Sequence, residues 1–176
     1  METMNSGGGA RRRVVVGVDD SPGGLAALRH AVDMARASHA RLVAIRSWGL
    51  GLPPHGGRRR RRVGSDRGPL VPFFNGAEQR QKAALLIRLA FRDATGGIPD
   101  DVAVVIRTPE GDPGRVLAGF TSDGDVLVVG TGRNQAVKRF MHGSVSHYCS
   151  VHARCPVVVV VPPPRTADKP GAAAAA

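Results

Sequence analysis

Five short apolar runs punctuate this chain: Arg13–Val18 (RVVVGV), Arg41–Trp48 (RLVAIRSW), Asp101–Arg107 (DVAVVIR), Asp125–Val129 (DVLVV) and Pro156–Val161 (PVVVVV). Each is short, rich in Val and nearly continuous, which is the pattern of a strand buried on both faces. The segments between them carry helical periodicity. Ser21 followed by Pro22 supplies a capping hydroxyl and then a residue whose missing N–H costs nothing in a first helical turn. Leu25, Leu28, Val32 and Ala35 then recur at helical spacing through about Ser38. Gly76–Ala94 reads as a second helix, with Leu85, Leu89 and Arg92 on one side and Leu86 and Ala90 on the neighbouring one. Asp112-Pro113 opens a third helix carrying Val116, Leu117 and Phe120, and Ser144–His152 is a fourth. Strands that are apolar on both faces and alternate with helices predict an α/β domain, a mostly parallel sheet with helices on both sides. The composition suits it, because 42% hydrophobic but only 4% aromatic residues mean a core of Val, Leu, Ile and Ala.

The 176 residues predict one domain with tails. Residues 1–12 read as a disordered Gly-rich tail, residues 13–161 as the folded domain, and residues 162–176 as a disordered Pro- and Ala-rich tail. Residues 50–75, with Gly, Pro and five consecutive Arg, read as an irregular insertion that is either functional or disordered. No apolar run reaches the roughly 20 residues that span a bilayer. The start METMNSGGGARRR lacks the apolar stretch of a signal peptide, so the expected location is cytoplasmic. Cys149 and Cys155 are read as small core residues of a reducing compartment. The net charge of +11 is concentrated: eight of the 25 basic residues lie in Arg11–Arg13 and Arg58–Arg62, and without them the charge is +3. Such runs attract polyanions or serve as solvated charge, and they say little about the core.

Ligands of parallel α/β sheets bind beyond the carboxyl ends of strands, where strand order reverses. Here those ends are Asp19 to Ser21, Ser47-Trp48, Thr108 and Gly130-Thr131. The fourth run leads directly into a loop, GTGRNQAVKRFMHGSV, holding Gly130, Gly132, Arg133 and Lys138 and closing on Gly143-Ser144. Glycines let backbone N–H groups approach an anion, and a helix beginning near Ser144 aims its positive end at it. Asp19, across the crevice, can accept a hydrogen bond from a sugar hydroxyl. Taken singly, Asp19 is a helix cap and Gly130 a tight strand exit; taken together with Gly143-Ser144, the binding reading is the better one. The loop has neither the Gly-Lys-Ser/Thr ending of the common phosphate loop nor a Rossmann glycine triplet. His147 and His152 are five apart, not the three or four that places a zinc pair on one helix face. No serine sits in a nucleophile elbow, and no cysteine–histidine pair has an orienting partner. A phosphoryl-accepting receiver domain is excluded, because it needs an Asp after strand three, where this chain has Arg107-Thr108.

The opening VVVGVDDSPGGLAALRHAVDMA and the closing DVLVVGTGRNQAVKRFMHGSVSHYCSVHARCPVVVV resemble the universal stress protein domain, in the right order over residues 13–161 except for the Arg-rich insertion. The resemblance implies an adenine nucleotide alpha hydrolase-like fold, doubly wound, with strand order 3-2-1-4-5. It also implies ATP between strands one and four, with or without Mg²⁺ on its phosphates. Nucleotide-binding members have Gly-x-x-Gly, nine residues, then Gly-Ser/Thr; carried over, these fall on Gly130 and on Gly143-Ser144. The second glycine position falls on Arg133, a departure, with Gly132 next door and Thr131 between. Asp19 matches the acidic residue at the adenosine end, Gly17 and Ser47 the flanking strand positions, and Val129 and Val145 the frame of the base and phosphate loop. Some relatives dimerise through the last strand, here Val157–Val161, whose exposed apolar edge invites a symmetric partner. The expected function is a regulatory stress-response protein that binds ATP and homodimerises. No general base is in place, so catalysis beyond slow ATP hydrolysis is not expected. Two other readings stay open: an interaction module that has lost nucleotide binding, favoured by Arg133, and a polyanion binder acting through Arg58–Arg62.

Overall fold

The Ser21-Pro22 start behaves as its chemistry requires. In the computed structural model Ser21 Oγ accepts from the Gly24 amide at 3.0 Å, and α1 runs Pro22–Ala37. The structure describes residues 12–49, 76–131 and 145–162; both tails, the Arg58–Arg62 run and the loop bearing Gly132, Arg133, Gly143 and Ser144 lie outside them. The remaining elements, in chain order, are β1 (Arg13–Gly17, before α1), β2 (Arg41–Ile45), α2 (Gly76–Thr95), β3 (Val104–Arg107), α3 (Pro113–Phe120), β4 (Val126–Gly130), α4 (Val145–His152) and β5 (Val157–Val160). Asp112 caps α3 by accepting from the Arg115 amide at 3.0 Å, again just before a Pro.

The five strands form one parallel sheet in the order β3-β2-β1-β4-β5. This is the doubly wound order that the resemblance implied. Strand alternation sends the side chains of Val14, Val16, Leu42, Ala44 and Val128 to one face, where they pack with Leu28 and Val32 of α1 and Ile87 and Phe91 of α2. Val15, Val43, Ile45, Leu127 and Val129 go to the other face, against Leu117 of α3 and Cys149 of α4. Each fully buried Leu, Val, Ile or Phe contributes about 1.5–3 kcal/mol relative to exposure. Both layers are therefore held by ordinary aliphatic packing. Cys149 and Cys155 are free thiols, Cys149 fully buried, and burial pushes its pKa up to about 11. Among the described residues no helix is long and apolar enough to cross a membrane.

Two boundaries and one helix face differ from the sequence reading. β3 begins at Val104 and not at Asp101, whose carboxylate is engaged by the Arg36 guanidinium through Nε and, at 3.0 Å, Nη2. β2 stops at Ile45, and the chain beyond it keeps contact with the β3 exit: the Arg46 and Trp48 amides donate to Arg107 and Pro109 at 3.2 and 3.1 Å. In α2 the buried stripe is Ala83, Ile87, Ala90 and Phe91, and Leu85 is exposed.

The amino ends of β1 and β4 are joined by charge. Asp125 is buried, and its carboxylate accepts from Arg13 Nε at 2.9 Å, Arg13 Nη2 at 2.5 Å and the Ser122 amide at 2.8 Å. Burial raises the Asp125 pKa, but the hydrogen bonds from Arg13 and Ser122 and the Arg13 charge outweigh it, and the net direction is down. A carboxylate depressed in the folded state stabilises fully above its unfolded value, about 3.9, and loses that contribution as pH falls through the folded value. Asp125→Asn is therefore expected to cost about 2 kcal/mol at neutral pH. Urea midpoints of the variant and the parent should converge as pH falls below about 4; a gap that stays constant with pH would show the pair contributes nothing through charge.

Candidate functional site

α1 leaves β1 toward one face of the sheet and α4 leaves β4 toward the other, so the carboxyl ends of these adjacent strands diverge into a crevice. A cleft of about 210 Å³ opens there. β1 and the turn after it supply Gly17, Val18 and Asp19, and the first turn of α1 supplies Gly24; β2 and its exit supply Ile45, Arg46 and Ser47. Pro113, Val116 and Leu117 of α3 form one wall, and Val129, Gly130 and Val145 close the far side. Six of the residues singled out from sequence thus meet around one cleft: Gly17, Asp19, Ser47, Val129, Gly130 and Val145. Thr131 is not among the lining residues. Its amide donates to Val160 at 2.9 Å, which spends it on β5. Gly132, Arg133, Gly143 and Ser144 lie outside the described residues.

The local packing explains the glycines physically. A Cβ on Gly130 would lie 2.3 Å from the backbone carbonyl of Gly23 and 2.6 Å from the Gly24 nitrogen. A Cβ on Gly23 would lie 2.0 Å from the Thr131 carbonyl oxygen, and one on Gly24 would lie 1.8 Å from Asp19 Oδ1. The first turn of α1 is therefore pressed backbone-to-backbone against the exit of β4. Two consecutive glycines in a first helical turn cost roughly 1 kcal/mol each against Ala; Gly23 is explained by the β4 exit and Gly24 by the Asp19 carboxylate beside it. Gly17 differs, since its added Cβ would meet only the tip of Leu117, at 2.7 Å.

Asp19 is exposed at the mouth of the cleft, ahead of the α1 N-terminus. Its Oδ1 accepts from the Ser21 amide at 2.9 Å and the Ser21 hydroxyl at 2.6 Å. The carboxylate is thus oriented by the same serine that caps the helix, and both bonds fall on one oxygen. Arg46, at the β2 exit, lines the same cleft, and its Nη1 is buried with no hydrogen-bond partner among the described residues. The sequence reading missed Arg46, as it missed the α3 wall; an Arg directly after a buried strand is a weak signal, and α3 gave no sign of reaching the crevice.

Comparison with protein families matches the Universal stress protein family over residues 10–161. The chain belongs to the universal stress protein family. Among solved structures it is similar to a universal stress protein in complex with cAMP, at 21% identity and TM-score 0.54, covering 87% of this chain and 98% of that one. It is also similar to a universal stress protein of Lactobacillus plantarum (19% identity, TM-score 0.57, 85% and 97% covered). A third, from Archaeoglobus fulgidus, has 17% identity and TM-score 0.54, with 85% and 98% covered. Comparison with curated proteins found no match. At these identities the structural likeness speaks for the universal stress protein fold. Within that fold, the α1–β4 contact predicts an asymmetry between glycines. Gly130→Ala must push backbone against backbone and is expected to cost about 3 kcal/mol, whereas Gly17→Ala moves a flexible Leu117 and costs about 1 kcal/mol. Denaturant midpoints of the two variants check it, and equal losses would contradict the packing account.

Proposed function

We propose that this universal stress protein binds an adenine nucleotide, ATP, in the cleft between the ends of β1 and β4, and acts by regulation and not by turnover. The observation that carries the reading is the meeting of Gly17, Asp19, Ser47 and Gly130 around a single cleft at the point where strand order reverses. Asp19, its Oδ1 already fixed by Ser21, would accept from a ribose hydroxyl. Val129, Val145 and the α3 wall supply the apolar sides a purine needs. Gly130 begins the loop that the family motif assigns to the phosphates, continuing through Gly132 and Arg133 to Gly143-Ser144. The bound nucleotide would bring Mg²⁺ on its phosphates. The cAMP held by one similar protein supports an adenine ligand for this fold.

Homodimerisation through β5 is part of the proposal. β5 is an edge strand, and Val159 and Val161 are 41% and 66% exposed. An edge strand that carries exposed valines, with no further strand beside it among the described residues, is a template for a second copy. Val159→Lys is expected to shift sedimentation from dimer to monomer while leaving nucleotide binding intact; a parent chain that sediments as a monomer would remove this part of the proposal.

Equilibrium dialysis with labelled ATP and millimolar Mg²⁺ tests the central reading. Saturable binding is expected, lost on replacing Gly143 by Trp and weakened about tenfold by Asp19→Asn, the size of one charge-assisted hydrogen bond. Absence of saturable binding by the parent chain would sink the nucleotide reading and leave the interaction-module alternative that Arg133 favours.

A further inference from the structure

We infer that Trp48 is a positioning residue of the nucleotide cleft, holding the α3 wall in place relative to the β2 exit. This rests on the nucleotide reading of the same cleft. Backbone pairing between β2 and β3 runs on past the ends of both strands. The Trp48 amide donates to the Pro109 carbonyl at 3.1 Å, and the Trp48 carbonyl accepts from the Gly111 amide at 2.9 Å. The indole Nε1 adds a third bond, donating to the Thr108 carbonyl at 2.7 Å. An indole N–H only donates, so this carbonyl completes the hydrogen bonding of the half-buried ring. One residue thus binds Thr108, Pro109 and Gly111, the segment that leads into the Asp112 cap of α3.

Both ends of this clamp reach the cleft. Ser47, directly before Trp48, lines it, and so does Val116 of α3. A Cβ on Gly111 would lie 3.2 Å from Val116 Cγ2, so the turn that Trp48 holds is seated on the wall itself. Gly111 has φ +135°, which side chains rarely allow, and this makes the tight turn possible. The contacts run from Ser47 through Trp48 and Gly111 to Val116, beginning and ending on the cleft. The ring is held from α2 as well. A Cβ on Gly76, the first residue of α2, would lie 2.9 Å from Trp48 Cη2. Gly76 is not among the residues that line the cleft. A methyl there presses on the indole without touching a bound nucleotide, and the indole carries the pressure to Thr108 and the turn before α3.

The test measures Kd for ATP with millimolar Mg²⁺ on the parent chain, Trp48→Phe, Gly76→Ala and the double variant, at a temperature well below all four thermal midpoints. Trp48→Phe removes the indole donor and should weaken ATP about fivefold, the size of one hydrogen bond. Gly76→Ala should weaken ATP by a similar factor in the parent. It should add nothing in Trp48→Phe, whose smaller ring lacks the atoms that face position 76, the non-additivity of two coupled residues. Lowered midpoints with unchanged Kd would give Trp48 a role in stability alone and overturn the assignment while leaving nucleotide binding standing. Losses that simply add would overturn it too, because the two positions would then act separately. A parent chain that binds no adenine nucleotide would fail the nucleotide reading itself, and the positioning role with it. If Trp48→Phe does not fold, the benzothienyl isostere of Trp48, which keeps the fused ring and lacks the N–H, carries the fivefold expectation in its place.

Discussion

The backbone of Gly23 lies against the backbone of Gly130 with no room for a side chain on either. That contact fixes how closely α1 approaches β4, and the crevice depends on it. With α1 seated there, Ser21 caps the helix, Asp19 is oriented by Ser21, and the exit of β4 is turned toward the cleft. A single methyl on either glycine would separate helix and strand and move Asp19 relative to Gly130. Gly130 both permits this contact and lines the cleft. For Gly130 the packing reading and the binding reading therefore both apply, because the packing is what places the strand exit beside Asp19.

The two ends of β1 and β4 divide the work. At their amino ends the buried Asp125 carboxylate is satisfied by Arg13 and Ser122, a closed charge arrangement that holds the two strands in register. At the carboxyl ends of β1 and its neighbour β2 polar groups are left less completely satisfied: Asp19 faces solvent, and a buried Arg46 nitrogen has no described partner. The incompletely paired groups gather at the switch point, where parallel α/β folds bind.

Much of this was legible in the chain because its signals are local. Five apolar runs and two Ser/Asp-Pro helix starts carry the strand–helix alternation, and the strands recovered lie within one to three residues of those runs. The order 3-2-1-4-5 came from family resemblance and was found. Asp19 and Gly130 were legible as strand-end residues. What sequence could not show is tertiary. The Gly23-Gly24 pair is a poor helix start until the β4 exit appears beside Gly23 and Asp19 beside Gly24, and Asp101 reads as part of an apolar run until Arg36 claims it. Leu85 has the hydrophobicity of a buried position, yet rotation about α2 gives that place to Ile87 and Phe91. Arg46 needed its place in the cleft wall to stand out from the other arginines of a basic chain.

The most direct measurement is an amide NMR titration of the intact chain with Mg-ATP. Saturable shifts are predicted at Gly17, Asp19, Ser47 and Gly130, with the Arg13 and Asp125 amides at the opposite end of the sheet unmoved. No saturable shift, or shifts confined to residues away from the β1–β4 crevice, would contradict the account.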